Sequence, residues 1–168
     1  FADRNFSLAN IASAAISFAT TAMFLPLMFY AQSAAGLSPS RAALLTAPMA
    51  LASGALAPLS GWVVDRTPPR PVIGCGFPVL SGALVWLALE MTPSTPPWRL
   101  ALPMAVIGVG MAFVWGPLAA TATRNLPPAQ AGAGSGVYNA TRQVGAVLGS
   151  AAMASLMASR VAAEPLGT

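Results

Sequence analysis

Five mostly apolar stretches, near 7–30, 42–64, 72–91, 100–122 and 132–158, alternate with short polar intervals. Each is about twenty residues long, the length a helix needs to cross ~30 Å of hydrocarbon. The intervals read as turns. Residues 31–41 hold Gly36 and Pro39, 65–71 is dense in charge, 92–99 carries three prolines, and 123–131 contains Pro127 and Pro128. Pro26, Pro48, Pro58, Pro78, Pro103 and Pro117 fall inside the apolar runs. Membrane helices tolerate such residues because neighbouring groups re-satisfy the freed backbone. No ten-residue segment alternates apolar with polar positions, so a β-barrel is not expected. The pattern predicts an all-α integral membrane protein with five transmembrane helices.

The helical faces add detail. Ala50, Gly54, Ala57 and Gly61 form a ridge of small residues on the second span, and Gly145 and Gly149 do the same on the fifth. Such ridges let helix backbones approach closely in lipid. The first span aligns Asn10, Ser13, Ser17, Thr21, Phe24 and Met28, a mildly polar stripe ending in large flexible groups. It either faces a cavity or is ordinary packing, since Ser and Thr can bond to their own backbone. The fourth aligns Met104, Gly108, Met111 and Trp115.

Composition agrees with a membrane chain. Only 7% of the 168 residues are charged and 56% are hydrophobic, with a mean hydropathy of +0.69; a soluble domain carries about a quarter charged residues. The net charge of +4 comes from arginines scattered along the chain. Nucleic-acid binding would cluster them on one face, so no nucleic-acid partner is expected. With the amino end cytoplasmic, Arg4, Arg66, Arg70 and Arg124 face the cytoplasm, and Arg41, Arg99 and Arg160 face out. The chain has no histidine and one cysteine, Cys75. That excludes ordinary catalytic triads, and no metal site, cofactor or enzyme activity is expected. The glycines at 108–110 and 132–136 follow no strand and make no nucleotide site; close packing or hinging suits them. The chain starts at Phe1 without a signal-peptide pattern, and a piece of a longer protein is the simplest expectation.

The charged residues within or beside the spans are few. Asp65 ends the second span, where the helix dipole is negative and a carboxylate is disfavoured by up to ~1 kcal/mol unless a cation compensates. Arg66, Arg70 or the amino end of another helix can do so, and Gly61 lets that helix come close. The spacing favours a latch over a plain solvated turn. Arg142 lies about ten residues into the last run, or ~15 Å along a helix. An arginine at mid-membrane costs about 2.5–3.5 kcal/mol and normally faces protein or water; the alternative is that it snorkels to the headgroups. Asn139 and Gln143 complete a polar belt around it. Glu90 closes the third span and takes no proton-carrying role, so no mid-membrane carboxylate exists in the chain.

Gly61, Asp65, Arg66 and Arg70 resemble the loop signature of the major facilitator superfamily, with Pro68 where the family usually has glycine. Tyr30-Ala31-Gln32, Gly36-Leu37-Ser38-Pro39, Pro48 and the run from Gly134 through Tyr138, Asn139, Arg142 and Gln143 to Gly145 resemble the fourteen-span drug:proton antiporter branch, the EmrB/QacA-type exporters. The resemblance covers nearly the whole chain. It implies most of a six-helix carboxyl-terminal bundle, residues 1–168, without the last span and the amino-terminal half. The first and fourth spans would line a central cavity, the second and fifth would pack on the missing half, and the third would be peripheral. Asp65 would belong to the cytoplasmic gate.

The expected function is proton-coupled efflux of lipophilic drugs or antibiotics by alternating access, in the cell membrane of a bacterium (the inner membrane). The expected partners are a small lipophilic substrate, protons, lipid and the missing half. Asn10, Ser17, Thr21, Phe24, Met28, Met111 and Trp115 are the cavity candidates. The last four suit a lipophilic, often cationic, compound, since aromatic faces attract cations and methionine adapts its shape. A carrier for a sugar or metabolite, or a non-transporting scaffold or remnant, is the alternative.

Overall fold

The computed structural model describes residues 3–163. Among them every regular element is helical: α1 (Arg4–Phe29), α2 (Pro39–Leu44), α3 (Ala47–Arg66), α4 (Pro69–Glu90), α5 (Ala101–Thr123) and α6 (Pro128–Ala163). A short 3₁₀ turn, Pro97–Leu100, leads into α5. Five helical stretches are long and apolar enough to cross a membrane. Glu164 lies outside the described residues.

α1 starts on Asp3, whose carboxylate accepts the backbone N–H of Phe6 at 2.7 Å. That satisfies one of the orphan donors of the first turn and draws the carboxyl below its ordinary pKa. The helix does not stop near residue 30. It continues as a π-helical turn, Tyr30–Ala34, in which Ala35 N–H bonds to Tyr30 O at 3.0 Å. The end is a left-handed cap: Gly36 sits at φ 63 and Leu37 N–H reaches back to Ala31 O at 2.9 Å. The segment expected as a simple turn is therefore mostly helical.

The second apolar run forms one membrane-crossing stretch, Pro39–Arg66, with a tight turn at Leu45 and Thr46 inside it. Pro48, in the first turn of α3, has no N–H to offer the Leu44 carbonyl. The chain tightens instead through Leu45 N–H to Ala42 O at 3.1 Å and Thr46 N–H to Ala43 O at 3.0 Å. At its far end α3 runs further than expected, so Asp65 and Arg66 lie in its last turn. Only Thr67 and Pro68 separate it from α4, which opens on Pro69. Pro68 adopts φ −55 and ψ 135, and Gly36 is the one positive-φ position among the described residues. The turn needs no left-handed residue, which is why proline replaces the usual glycine there without strain.

α1 and α5 are the enclosed helices, with 39% and 50% of their apolar windows buried, against 22% or less for the others. α5 packs on α3, α4 and α1, while α6 lies chiefly along α1 and α4 touches mainly α5. Glycines set these contacts. Gly108 admits the Met49 backbone of α3, and Gly110 admits Leu80 of α4, whose Cα would sit 2.9 Å from an added Cβ. Gly145 and Gly149 lie on the backbone of Ala14 and Phe18 in α1. The fifth-span ridge was expected on a missing half; it packs inside this bundle instead. By contrast, nothing stands within 4 Å of a Cβ built on Gly54 or Gly61, and Ala50 and Ala57 are exposed. A small-residue ridge announces close approach but does not say which neighbour approaches.

The two ends of the bundle differ. At one, Arg70 donates to Asn5 Oδ1 at 3.5 Å and Asn125 to Asp3 Oδ2 at 3.4 Å. At the other, Tyr30 donates its hydroxyl toward Thr92 O at 3.0 Å and Thr95 O at 2.9 Å, and Arg99 pairs with Glu90 at 3.5 Å.

Candidate functional site

α5 presents Met111, Trp115, Ala119, Ala120 and Thr123 along one side, and two clefts meet there. One, about 440 Å³, lies against α6 and is bounded by Trp115, Ala119, Thr123, Ser135, Tyr138, Asn139 and Arg142. The other, about 300 Å³, lies against α3 and is bounded by Met111, Trp115, Ser60, Gly61 and Asp65 among others. Trp115 and Ala120 belong to both. The second cleft runs on past Asp65 to Arg66, Thr67 and Arg124 at the bundle's end. The result is a trough along α5, walled by α3 and α6.

Arg142 is half-buried and holds its guanidinium 5.4 Å from the centre of the Trp115 ring. Trp115 is eight residues before the end of α5, about 12 Å along the axis. The side chain thus stays within the bundle, stacked on an aromatic ring. One face of the Trp115 ring is thus taken by the chain's own cation, and Trp115 also borders the cleft on the α3 side. The polar belt also divides. Asn139 borders the same cleft, whereas Gln143 is exposed away from it.

Asn10 and Ser17, expected in a cavity, are 1% and 4% exposed. α1 is central, so its polar stripe is enclosed by neighbouring helices and turns back on its own backbone. Asn10 donates to Phe6 O at 2.8 Å and Ser13 to Asn10 O at 2.9 Å. Asn10 Oδ1 has no partner among the described residues. Thr21, Phe24 and Met28 are half-buried on α1 and border neither trough cleft; Phe24 and Met28 pack on the core. Of the cavity candidates, Met111 and Trp115 are brought together.

Asp65 is exposed, and neither arginine expected to neutralise it does so. Arg66 lies over the Trp62 ring at 4.3 Å, and Arg70 bonds Asn5. Among the described residues the ion pair is Arg99 with Glu90. Asp65 therefore stands at the negative end of α3, beside the face carrying Gly61 and Gly54, without a cation in this bundle.

Sequence reasoning missed Tyr138 and Ser60. Both are buried, at 6% and 2% exposure, and their hydroxyls have no hydrogen-bond partner among the described residues. Tyr138 was detectable as the residue one helical turn before Arg142. Ser60 had no signal beyond its place next to Gly61.

A helical bundle of membrane-crossing length, with a trough on one side and an unneutralised carboxylate at its rim, defines a multi-pass membrane protein. The family model of the Major Facilitator Superfamily matches residues 1–150, and the chain belongs to that family. It is 58% identical over 167 residues to a Mycobacterium tuberculosis protein, "Uncharacterized MFS-type transporter Rv1250", covering 99% of this chain and 29% of that one. It is 29% identical to the multidrug resistance protein Stp of the same species, covering 97% and 30%. It is 26% identical to the riboflavin transporter RibZ of Clostridioides difficile, covering 94% and 34%. The chain thus spans about a third or less of the length of these relatives.

Proposed function

We propose that this bundle is most of the carboxyl-terminal half of a proton-driven exporter of small lipophilic compounds in a bacterial inner membrane. It works by alternating access with an amino-terminal bundle that closes over the trough. One observation carries the reading: the trough around Trp115 is flanked by a small-residue face of α3 with nothing packed on it. Gly54 and Gly61 are open, Asp65 lies at the rim, and a partner helix end would give that carboxylate its positive counterpart. Met111 and Trp115 contact the cargo. No carboxylate of the described spans lies away from a helix end, so the proton-binding group belongs to the companion bundle.

The test is transport by the full-length protein with Asp65→Asn. Efflux is expected to fall sharply at unchanged membrane expression, and wild-type rates would refute the gate. Relatives' names favour drugs through Stp, while RibZ favours a second reading, a metabolite carrier. Riboflavin uptake dependent on this protein would select that reading. Absence of any transport would leave a membrane scaffold.

A further inference from the structure

We propose that the cleft between α5 and α6 is a binding site for an organic anion with a flat apolar body, such as a lipophilic carboxylate. The inference rests on the exporter reading for its biological role and deepens it by naming a substrate class. Arg142 is the one charged residue bordering this cleft. It is half-buried and forms no ion pair among the described residues, so no anion of this bundle offsets the hydration its guanidinium gives up. Its stack on Trp115 holds the planar group and leaves its N–H edge free for bidentate contact with a carboxylate.

Tyr138 borders the cleft with its ring, while its hydroxyl is buried and has no partner among the described residues. Ser135, one turn earlier on α6, brings a hydroxyl donor to the same cleft. The acidic residue nearest in the trough, Asp65, borders the other cleft, across Trp115 on the α3 side. The volume, about 440 Å³, suits a small ligand, and Trp115 and Ala119 supply its apolar wall. A cation would meet Arg142 and be repelled; an anion would satisfy it.

The anion's source is a soluble compound or a lipid headgroup phosphate. The test is equilibrium binding to the purified full-length protein in zwitterionic nanodiscs. The probes are 1-naphthoate and its cationic counterpart 1-naphthylmethylammonium. Naphthoate is expected to bind about tenfold or more tightly than the cation, the effect of one charge-assisted contact. Arg142→Gln should abolish that preference, Arg142→Lys should keep part of it, and Ser135→Ala should weaken naphthoate alone. The two milder variants serve if Arg142→Gln does not fold. Naphthoate binding that falls as phosphatidylglycerol is added assigns the site to a lipid phosphate; binding unmoved by that lipid assigns it to a soluble anion. Equal binding of both probes, or a preference that survives Arg142→Gln, overturns the site. Loss of all transport with naphthoate selectivity intact would refute the exporter reading alone.

Discussion

Adding one methyl group to α6 at Gly145 should unpack it from α1, while the same change on α4 at Gly74 should do the opposite. In a helix, Gly→Ala gains roughly 0.5–1 kcal/mol from reduced backbone freedom. At Gly74 nothing lies within 4 Å of the new Cβ, so that gain is unopposed and Gly74→Ala should stabilise by about that amount. At Gly145 the Cβ would fall on the Ala14 carbonyl, with the Ala14 Cα 2.7 Å away. Backbone cannot rotate aside as a side chain can. Overpacking of this kind costs about 1–3 kcal/mol, which exceeds the propensity gain, so Gly145→Ala should destabilise on balance. Gly149, one turn on and against the Phe18 backbone, should behave alike. The double variant should cost less than the sum, because one helix shift relieves both clashes. Denaturant or thermal unfolding in detergent, followed by circular dichroism, reads the effect. A Gly145→Ala protein as stable as Gly74→Ala would refute the α1–α6 contact.

Other outcomes follow from the same geometry. Gly54→Val should leave the stability of this bundle within about 0.5 kcal/mol yet impair transport by the full-length protein, because its face awaits a companion; normal transport would contradict that. Tyr30→Phe removes the hydroxyl that binds Thr92 O and Thr95 O and should cost about 1 kcal/mol, read as faster proteolysis in the 92–96 loop. The Asp3 cap has its carboxyl held below the ordinary range by the Phe6 N–H. Its support of α1 should be fully present above the ordinary carboxylate pKa and lost as pH falls through the lowered one. Protection of the Phe6 amide, measured against its intrinsic exchange rate, should therefore fall in acid, and Asp3→Asn should abolish that dependence.

The spans were legible because length and apolarity alone mark a bilayer crossing, and their edges follow proline and caps. The π turn after Phe29 was not, since an extra residue in a helical ladder leaves no mark on composition. The polar stripe is buried at Asn10 and Ser17. In a membrane helix a serine can donate to the carbonyl three or four residues earlier as well as to water, so the stripe does not say whether it faces a cavity or a neighbour. Gly145 and Gly149 were correctly suited to close approach, but the partner helix is a tertiary fact. Likewise Arg142 was visible as an anomaly, while its stack on Trp115, 27 residues earlier in the sequence and on another helix, required the fold.

The central claim is that the trough along α5 is a water-filled path and that the apolar cleft around Cys75, lined by residues of α3, α4 and α5, is not. Water-soluble maleimide labelling of single cysteines in intact membranes tests it. Ala119→Cys, in the trough and with Cys75 replaced by serine, should react and be protected by substrate. The native Cys75, exposed among apolar residues of α4 and α5, should remain unlabelled in the wild-type protein. A reactive Cys75 beside an inert Ala119→Cys would contradict the account.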